Sequence, residues 1–139
     1  PLICFEGIFS RPGRQVCRQG AQVLAILTSD AWAQGTAEAA QHPTTAPFRA
    51  VEARKYLCRA ASDGRSAIID PYGEVIADVP VSGRGVACGQ IVAMDGLSVY
   101  HRMGDWPLLA ACTIILIVGW LAGSTKGGPP DAATDRDPV

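Results

Sequence analysis

The 139-residue chain has little histidine, few aromatic side chains and almost no imbalance of charge. Its two histidines, His42 and His101, lie far apart with no metal-ligand spacing around them, and its five cysteines include no C-x-x-C pair. That pattern lacks the usual zinc arrangements, and no metal is expected. The cysteines (Cys4, Cys17, Cys58, Cys88 and Cys112) are scattered and odd in number, which argues against a disulfide framework. Twelve basic residues against thirteen acidic ones leave a formal charge of −1. No basic run or patch is visible, so no nucleic-acid partner is expected. The opening Pro1 brings neither an initiator methionine nor a signal-peptide pattern, and the expectation is a piece of a longer protein. The length suffices for one domain with a core and no more.

What the sequence does have is a long apolar run. From Trp106 to Thr125, WPLLAACTIILIVGWLAGST, no residue carries a formal charge. As a helix this run would span about 30 Å, the thickness of a bilayer's hydrocarbon core. Trp106 and Trp120 lie towards its ends and Lys126 closes it, as interfacial residues often do. Ile114, Ile115, Leu116, Ile117 and Val118 are consecutive and leave no polar face, so a transmembrane helix is preferred over the buried helix of a soluble domain. The tail, 126–139, is rich in Gly, Pro and Asp and is expected to be disordered.

The front of the chain holds the clearest chemical signal. In Leu2-Ile3-Cys4-Phe5-Glu6 an apolar run delivers a cysteine to the end of a predicted strand, with Gly7 supplying a turn and a helix-like pattern beginning near Ser10. A nucleophile at a strand-to-helix turn projects from the sheet edge close to backbone N–H groups. The N–H of Phe5 is the nearest, and could stabilise an oxyanion formed by attack on a carbonyl. Taken alone, Cys4 reads as a small buried hydrophobe, as most free cysteines are.

Farther on, residues 10–20 read as a helix stopped by Gly20, and 21–28 as a buried strand parallel to the first. Ser29-Asp30-Ala31-Trp32 follows directly, where open α/β sheets place ligand sites. A second helix is predicted over 44–61, its regular part starting near Pro47, with Ala50, Ala53, Leu57 and Ala60 at helical spacing and Glu52 sharing a face with Tyr56. Arg49, Glu52 and Arg54 would form a solvated helix face. Ser66–Asp70 and Glu74–Val79 read as a hairpin around Pro71-Tyr72-Gly73, and Val86–Val92 as a further strand. The order β-α-β-α-β-β-β, followed by a membrane helix, is an α/β layered domain with an anchor.

In this arrangement five segments resemble the carbon–nitrogen hydrolase (nitrilase) superfamily and, within it, the C-terminal part of the bacterial apolipoprotein N-acyltransferase family. They are ICFE at 3–6, LTSDAW at 27–32, Gln41-His42 followed by FRAVE at 48–52, RAASDGRSAIIDPYG at 59–73, and Gly104-Asp105-Trp106-Pro107 before the apolar run. The resemblance covers residues 2 to about 124. It implies the C-terminal part of an α/β/β/α sandwich over 1–105, a transmembrane helix over 106–125 and a polar tail over 126–139. Ser29 stands where the family often has Asn, and Ala33 where Phe is common.

The function implied by the resemblance is a two-step acyl transfer. The thiolate of Cys4 would take an acyl chain from a phospholipid as a thioester, and the α-amino group of a lipoprotein's lipid-modified N-terminal cysteine would accept it as an amide. Sulfur suits both steps, since it attacks well as thiolate and leaves well when an amine arrives. In the family a glutamate is the general base and a lysine stabilises the oxyanion, both from segments ahead of the matched cysteine. This chain alone is therefore expected to be inactive. Glu6 matches a second acidic residue that supports the lysine, and Trp32 an aromatic at the pocket mouth that bears on lipid substrates; with Asp30 it makes up the expected substrate-binding pair. No cofactor is implied, and a monomer is expected. His101 and Arg102 precede the apolar run while Lys126 and Arg136 follow it, so charge does not fix an orientation. The resemblance implies an inner-membrane protein with its catalytic domain outside the cytoplasm. Two other readings stand beside this one: a membrane-tethered amidase on the same fold, and a non-catalytic degenerate module with Cys4 merely buried.

Overall fold

The computed structural model describes residues 1–81 and 83–124. The chain divides into two compact units, Pro1–Gly104 and Asp105–Val139. The first is built on one five-stranded sheet in the order β1 (Leu2–Ile3), β2 (Leu24–Ser29), β3 (Leu57–Ser62), β4 (Ser66–Ile69) and β5 (Val75–Val79). Strands β1, β2 and β3 run parallel, with Leu2 opposite Ile26 and Leu24 opposite Leu57. Strands β4 and β5 complete the sheet in antiparallel fashion. The parallel strands need crossovers, which α1 (Ser10–Arg18) and α2 (Glu38–Ala53) supply.

Both helices lie on one face. Successive strand residues point to opposite faces, so Leu2, Leu24, Ile26, Leu57, Ala67 and Ile69 turn inward together, against Cys17 of α1 and Ala46, Ala50 and Ala53 of α2. Each buried Leu or Ile contributes roughly 1.5–3 kcal/mol relative to exposure. The opposite face is less covered, with Ile3 53% and Leu27 47% exposed. Residues 83–89 cross part of that face: the backbone of Gly89 lies where a Cβ would come within 3.2 Å of Ile68, and Gly85 where one would come within 3.7 Å of Val79.

One buried cation, Lys55, and one exposed cation, Arg18, fasten the end of this unit. Lys55, only 1% exposed, donates to the carbonyls of Met94 and Gly96. Arg18 donates to the carbonyls of His101 and Arg102 at 3.1 and 3.0 Å. These bonds hold α3 (Val99–Met103), whose N-terminus Ser98 caps by accepting from the His101 N–H.

The structure departs from the sequence-based expectations at three places. Helix α2 begins at Glu38 and runs through Pro43 and Pro47, rather than becoming regular only near Pro47; the burial of His42 and Ala46 holds its first turns despite the missing N–H groups. It also ends at Ala53, not Ala61. Arg54 turns left-handed at φ 54°, and Leu57–Ser62 leaves to pair residue by residue with β2. Tyr56 therefore lies beyond the helix, and the charges divide: Arg54 is exposed, whereas Arg49 is 8% exposed and pairs with Glu52 at 2.9 Å. Third, Val86–Val92 forms no strand, because its approach is across the sheet face, over Ile68 and Ile76, not along an edge.

In the second unit α4 (Trp106–Ser124) has a mean hydropathy of 2.0 and none of it is buried. It is long and apolar enough to cross a membrane. Lys126 and the tail expected to be disordered lie outside the described residues.

Candidate active site

Cys4 leaves β1 with a positive φ of 50° and opens a single 3-10 turn, Cys4–Gly7. A non-glycine residue in this region carries strain and persists only where its surroundings fix it, a condition that clusters at functional sites. Here the turn is held from below and from both ends. Gly7 packs so tightly on β2 that a Cβ there would lie 2.9 Å from Ile26 Cδ1. The Glu6 carboxylate reaches back to accept the Ile3 N–H at 2.8 Å. Just beyond the turn, the Arg49 guanidinium donates to the Ile8 carbonyl at 3.2 Å and to Ser10 Oγ at 2.8 Å, and Ser10 donates in turn to Glu52.

The sequence-based site residues fall into two layers. Cys4 is half-buried, and Phe5 and Trp32 are 43% and 49% exposed with ring centroids 5.3 Å apart. Two large rings thus form an apolar surface beside the Cys4 turn. Asp30 is not on that surface. It is 1% exposed, and its Oδ1 accepts from His42 Nδ1 at 2.7 Å while its Oδ2 accepts from Arg59 Nη2 at 2.8 Å. Burial alone would push the Asp30 carboxyl up, but the Arg59 and His42 hydrogen bonds outweigh it and hold the group below the usual carboxylate range. Since an ionised carboxylate only accepts, the His42 proton sits on Nδ1.

Three residues of the inner layer have no role in the sequence-based site. His42 and Arg59 lie within segments that carry the family resemblance, but only the fold brings them to Asp30. Gly64 lies so close that a Cβ would overlap the Asp30 carboxylate. The His42 ring links the layers, lying 5.7 Å from Phe5 at 24° and 6.4 Å from Trp32 at 56°.

Two of the other thiols, Cys17 and Cys58, are poor competitors for nucleophilic work. Burial pushes the Cys17 thiol up against the opposing pull of Lys55, and burial likewise pushes up that of Cys58. No group of three or more His, Cys, Asp or Glu side chains able to hold a metal occurs among the described residues.

The model of the carbon–nitrogen hydrolase family matches residues 1–95, the stretch that holds the Cys4 turn, the five-stranded sheet and both crossover helices. The chain belongs to the carbon–nitrogen hydrolase family. It is 32% identical over 120 residues to the apolipoprotein N-acyltransferase of Pseudomonas syringae pv. tomato, covering 86% of this chain and 23% of that one. With the protein of the same name from Geobacter metallireducens it shares 37% identity over 117 residues, 82% of this chain and 22% of that one. The chain thus spans less than a quarter of the length of these curated relatives. Among solved structures, Saccharomyces cerevisiae Nit3, a member of branch 10 of the nitrilase superfamily, matches with a TM-score of 0.46 and 23% identity over 56% of this chain and 31% of that chain.

Proposed function

We propose that this chain carries the nucleophile of an N-acyltransferase that matures bacterial lipoproteins. The observation that bears most weight is Cys4 itself, strained at φ 50° beside two half-exposed rings. In the first step the Cys4 thiolate attacks the ester carbonyl of a phospholipid. The C–S bond forms, the ester C–O bond breaks, and the released lysophospholipid oxygen takes a proton. In the second, the amine of a lipid-modified N-terminal cysteine attacks the thioester and loses a proton. The C–S bond breaks and the thiolate is regenerated.

Within this scheme the Phe5 N–H donates to the oxyanion in both steps, an effect typically worth 10²–10³-fold in rate. Glu6 is a supporting acid: its bond to the Ile3 N–H fits a role in keeping the nucleophile turn closed. Trp32 offers its exposed ring to the acyl chains, and Asp30 serves substrate binding from beneath, through the rings it supports. The base and the oxyanion lysine come from chain beyond these 139 residues, so the isolated fragment is inactive. Residues 1–105 form the C-terminal part of the catalytic domain, 106–125 a transmembrane helix and 126–139 a polar tail. The donor is a membrane lipid, so α4 keeps enzyme and donor in one phase. The protein works as a monomer in the inner membrane, with its catalytic domain on the periplasmic side.

The test is acyl transfer from phospholipid vesicles to a diacylglyceryl-modified lipopeptide, by the protein expressed from its complete reading frame. Cys4→Ala is expected to lower the rate by at least about 10³-fold. Cys4→Ala transferring at the parental rate, or a parent that releases ammonia from small amides and leaves the lipopeptide unmodified, would contradict the proposal.

A further inference from the structure

Resting on that reading, we infer that His42 is a positioning residue for the nucleophile: a buried Asp30–His42–Arg59 network props the Phe5 ring and so holds Cys4 in its strained turn. Four observations meet here. His42 is 3% exposed, yet its ring stacks beneath a side chain that is 43% exposed, at 24° and 5.7 Å. Phe5 adjoins Cys4 and belongs to the same 3-10 turn, so fixing its ring fixes the peptide between them. The imidazole cannot rotate away, since Nδ1 is tied to Asp30 at 2.7 Å. Asp30 is itself immobilised by Arg59, which also donates to the Arg65 carbonyl, and by its own N–H to the Ser62 carbonyl at 2.8 Å.

The polar groups of this network have a cheaper purely structural alternative. Replacing a buried charged set by apolar residues is often neutral or stabilising, so stability alone is a weak account of it. Its geometry serves a different end: it converts one hydrogen-bonded ring into a flat, rigid floor under the residue next to the nucleophile. A φ of 50° at Cys4 lasts only while such packing over-determines it. Without the floor the turn relaxes and the thiol loses its presentation, and misplacement of about 1 Å can cost 10²-fold in rate. Trp32 meets the same ring at 6.4 Å, but it is one of the exposed lipid-facing groups and its loss acts on substrate affinity.

The experiment compares His42→Asn, Phe5→Leu and the double variant in the protein from its complete reading frame, purified from membranes. Asn can still donate to Asp30 from near the Nδ1 position but offers no ring; Leu stays apolar but cannot lie flat on an imidazole. Two rates are measured, Cys4 alkylation by iodoacetamide, followed by the mass of its peptide, and acyl transfer to the lipopeptide. Each single variant is expected to alkylate at least fivefold more slowly and to lose at least tenfold in kcat, with any rise in KM smaller than that loss. The double variant should be no more than twofold worse than either single one, since both remove the same contact. If His42→Asn does not fold, Phe5→Leu carries the test alone.

Alkylation at the parental rate in Phe5→Leu, additive losses in the double variant, or a loss confined to KM would each overturn the inference. A parent that never transfers acyl chains, while the coupled slowing of alkylation persists, would overturn the proposed function and leave His42 in its role.

Discussion

Single side chains in this protein do unequal work, and the buried ionic ones set the largest penalties. Asp30 sits between His42 and Arg59 with both oxygens bonded. Removing the cation leaves an uncompensated buried carboxylate, so Arg59→Leu is expected to destabilise the fold by about 3–5 kcal/mol, read as a shift in the denaturant midpoint. His101 acts in the opposite sense. It is fully buried, and burial, reinforced by Arg14, Lys55, Arg49 and Arg18, lowers its pKa from 6.5 to about 4. The unfolded chain therefore binds a proton that the folded protein refuses. Stability should fall as pH drops from 6.5 towards 4, by a few kcal/mol across that window, and then level off. Thermal midpoints of the parent and of His101→Leu at pH 7 and pH 4.5 check this: the parent should lose more than the variant, and equal losses would contradict it.

Elements of the fold differ in how far local sequence decides them. The hairpin of β4 and β5 is local in origin. Gly73 adopts φ 91°, and a Cβ there would meet Val51 at 3.0 Å, while the Asp70 carboxylate accepts the Tyr72 and Glu74 N–H groups at 2.8 and 2.9 Å. Gly73→Ala should cost about 1–2 kcal/mol, measured by chemical denaturation; an unchanged midpoint would count against this account of the turn. Such elements were readable from residue type alone, as were α1, the parallel β1–β2 pair and the Cys4 turn. Helix α2 and β3 were not. Alanines with Leu57 and Ala60 at helical spacing prolong a helix on propensity, but Leu57–Ser62 has partners on both sides, β2 and β4, and pairing outweighs propensity. Alternation in Val86–Val92 misleads for a related reason, since period two marks a strand only where an edge is free to receive it. At the site, the Cys4 turn followed from a short motif, whereas the Phe5–Trp32 ring pair and the Asp30–His42–Arg59 network join residues far apart in the chain, and no spacing announces them.

At the scale of the whole molecule, a half-covered sheet and an uncovered apolar helix determine where the protein can exist. Ile3 and Leu27 stand exposed on the outer face of the parallel strands, where sheets of this kind are normally covered on both sides. The likeness to relatives about four times as long fits a face completed by further chain. Helix α4 sets the second condition. With a hydropathy of 2.0 over an 18-residue window of its 19 residues, it should keep the protein in the membrane pellet after alkaline carbonate washing. Ile115→Arg, near the middle of the run, adds roughly 2.5–3.5 kcal/mol to insertion and should move a measurable fraction to the supernatant; retention equal to the parent would argue that other segments carry the anchoring. In the proposed function both conditions, a completed catalytic unit and a lipid phase, serve one atom, the Cys4 sulfur. The most direct measurement is the mass of the Cys4 peptide from the complete protein purified from membranes, with and without hydroxylamine, which cleaves thioesters. The account predicts an acyl-sized adduct on Cys4 that hydroxylamine removes. An unmodified Cys4 in folded protein, even after phospholipid is added, would contradict it.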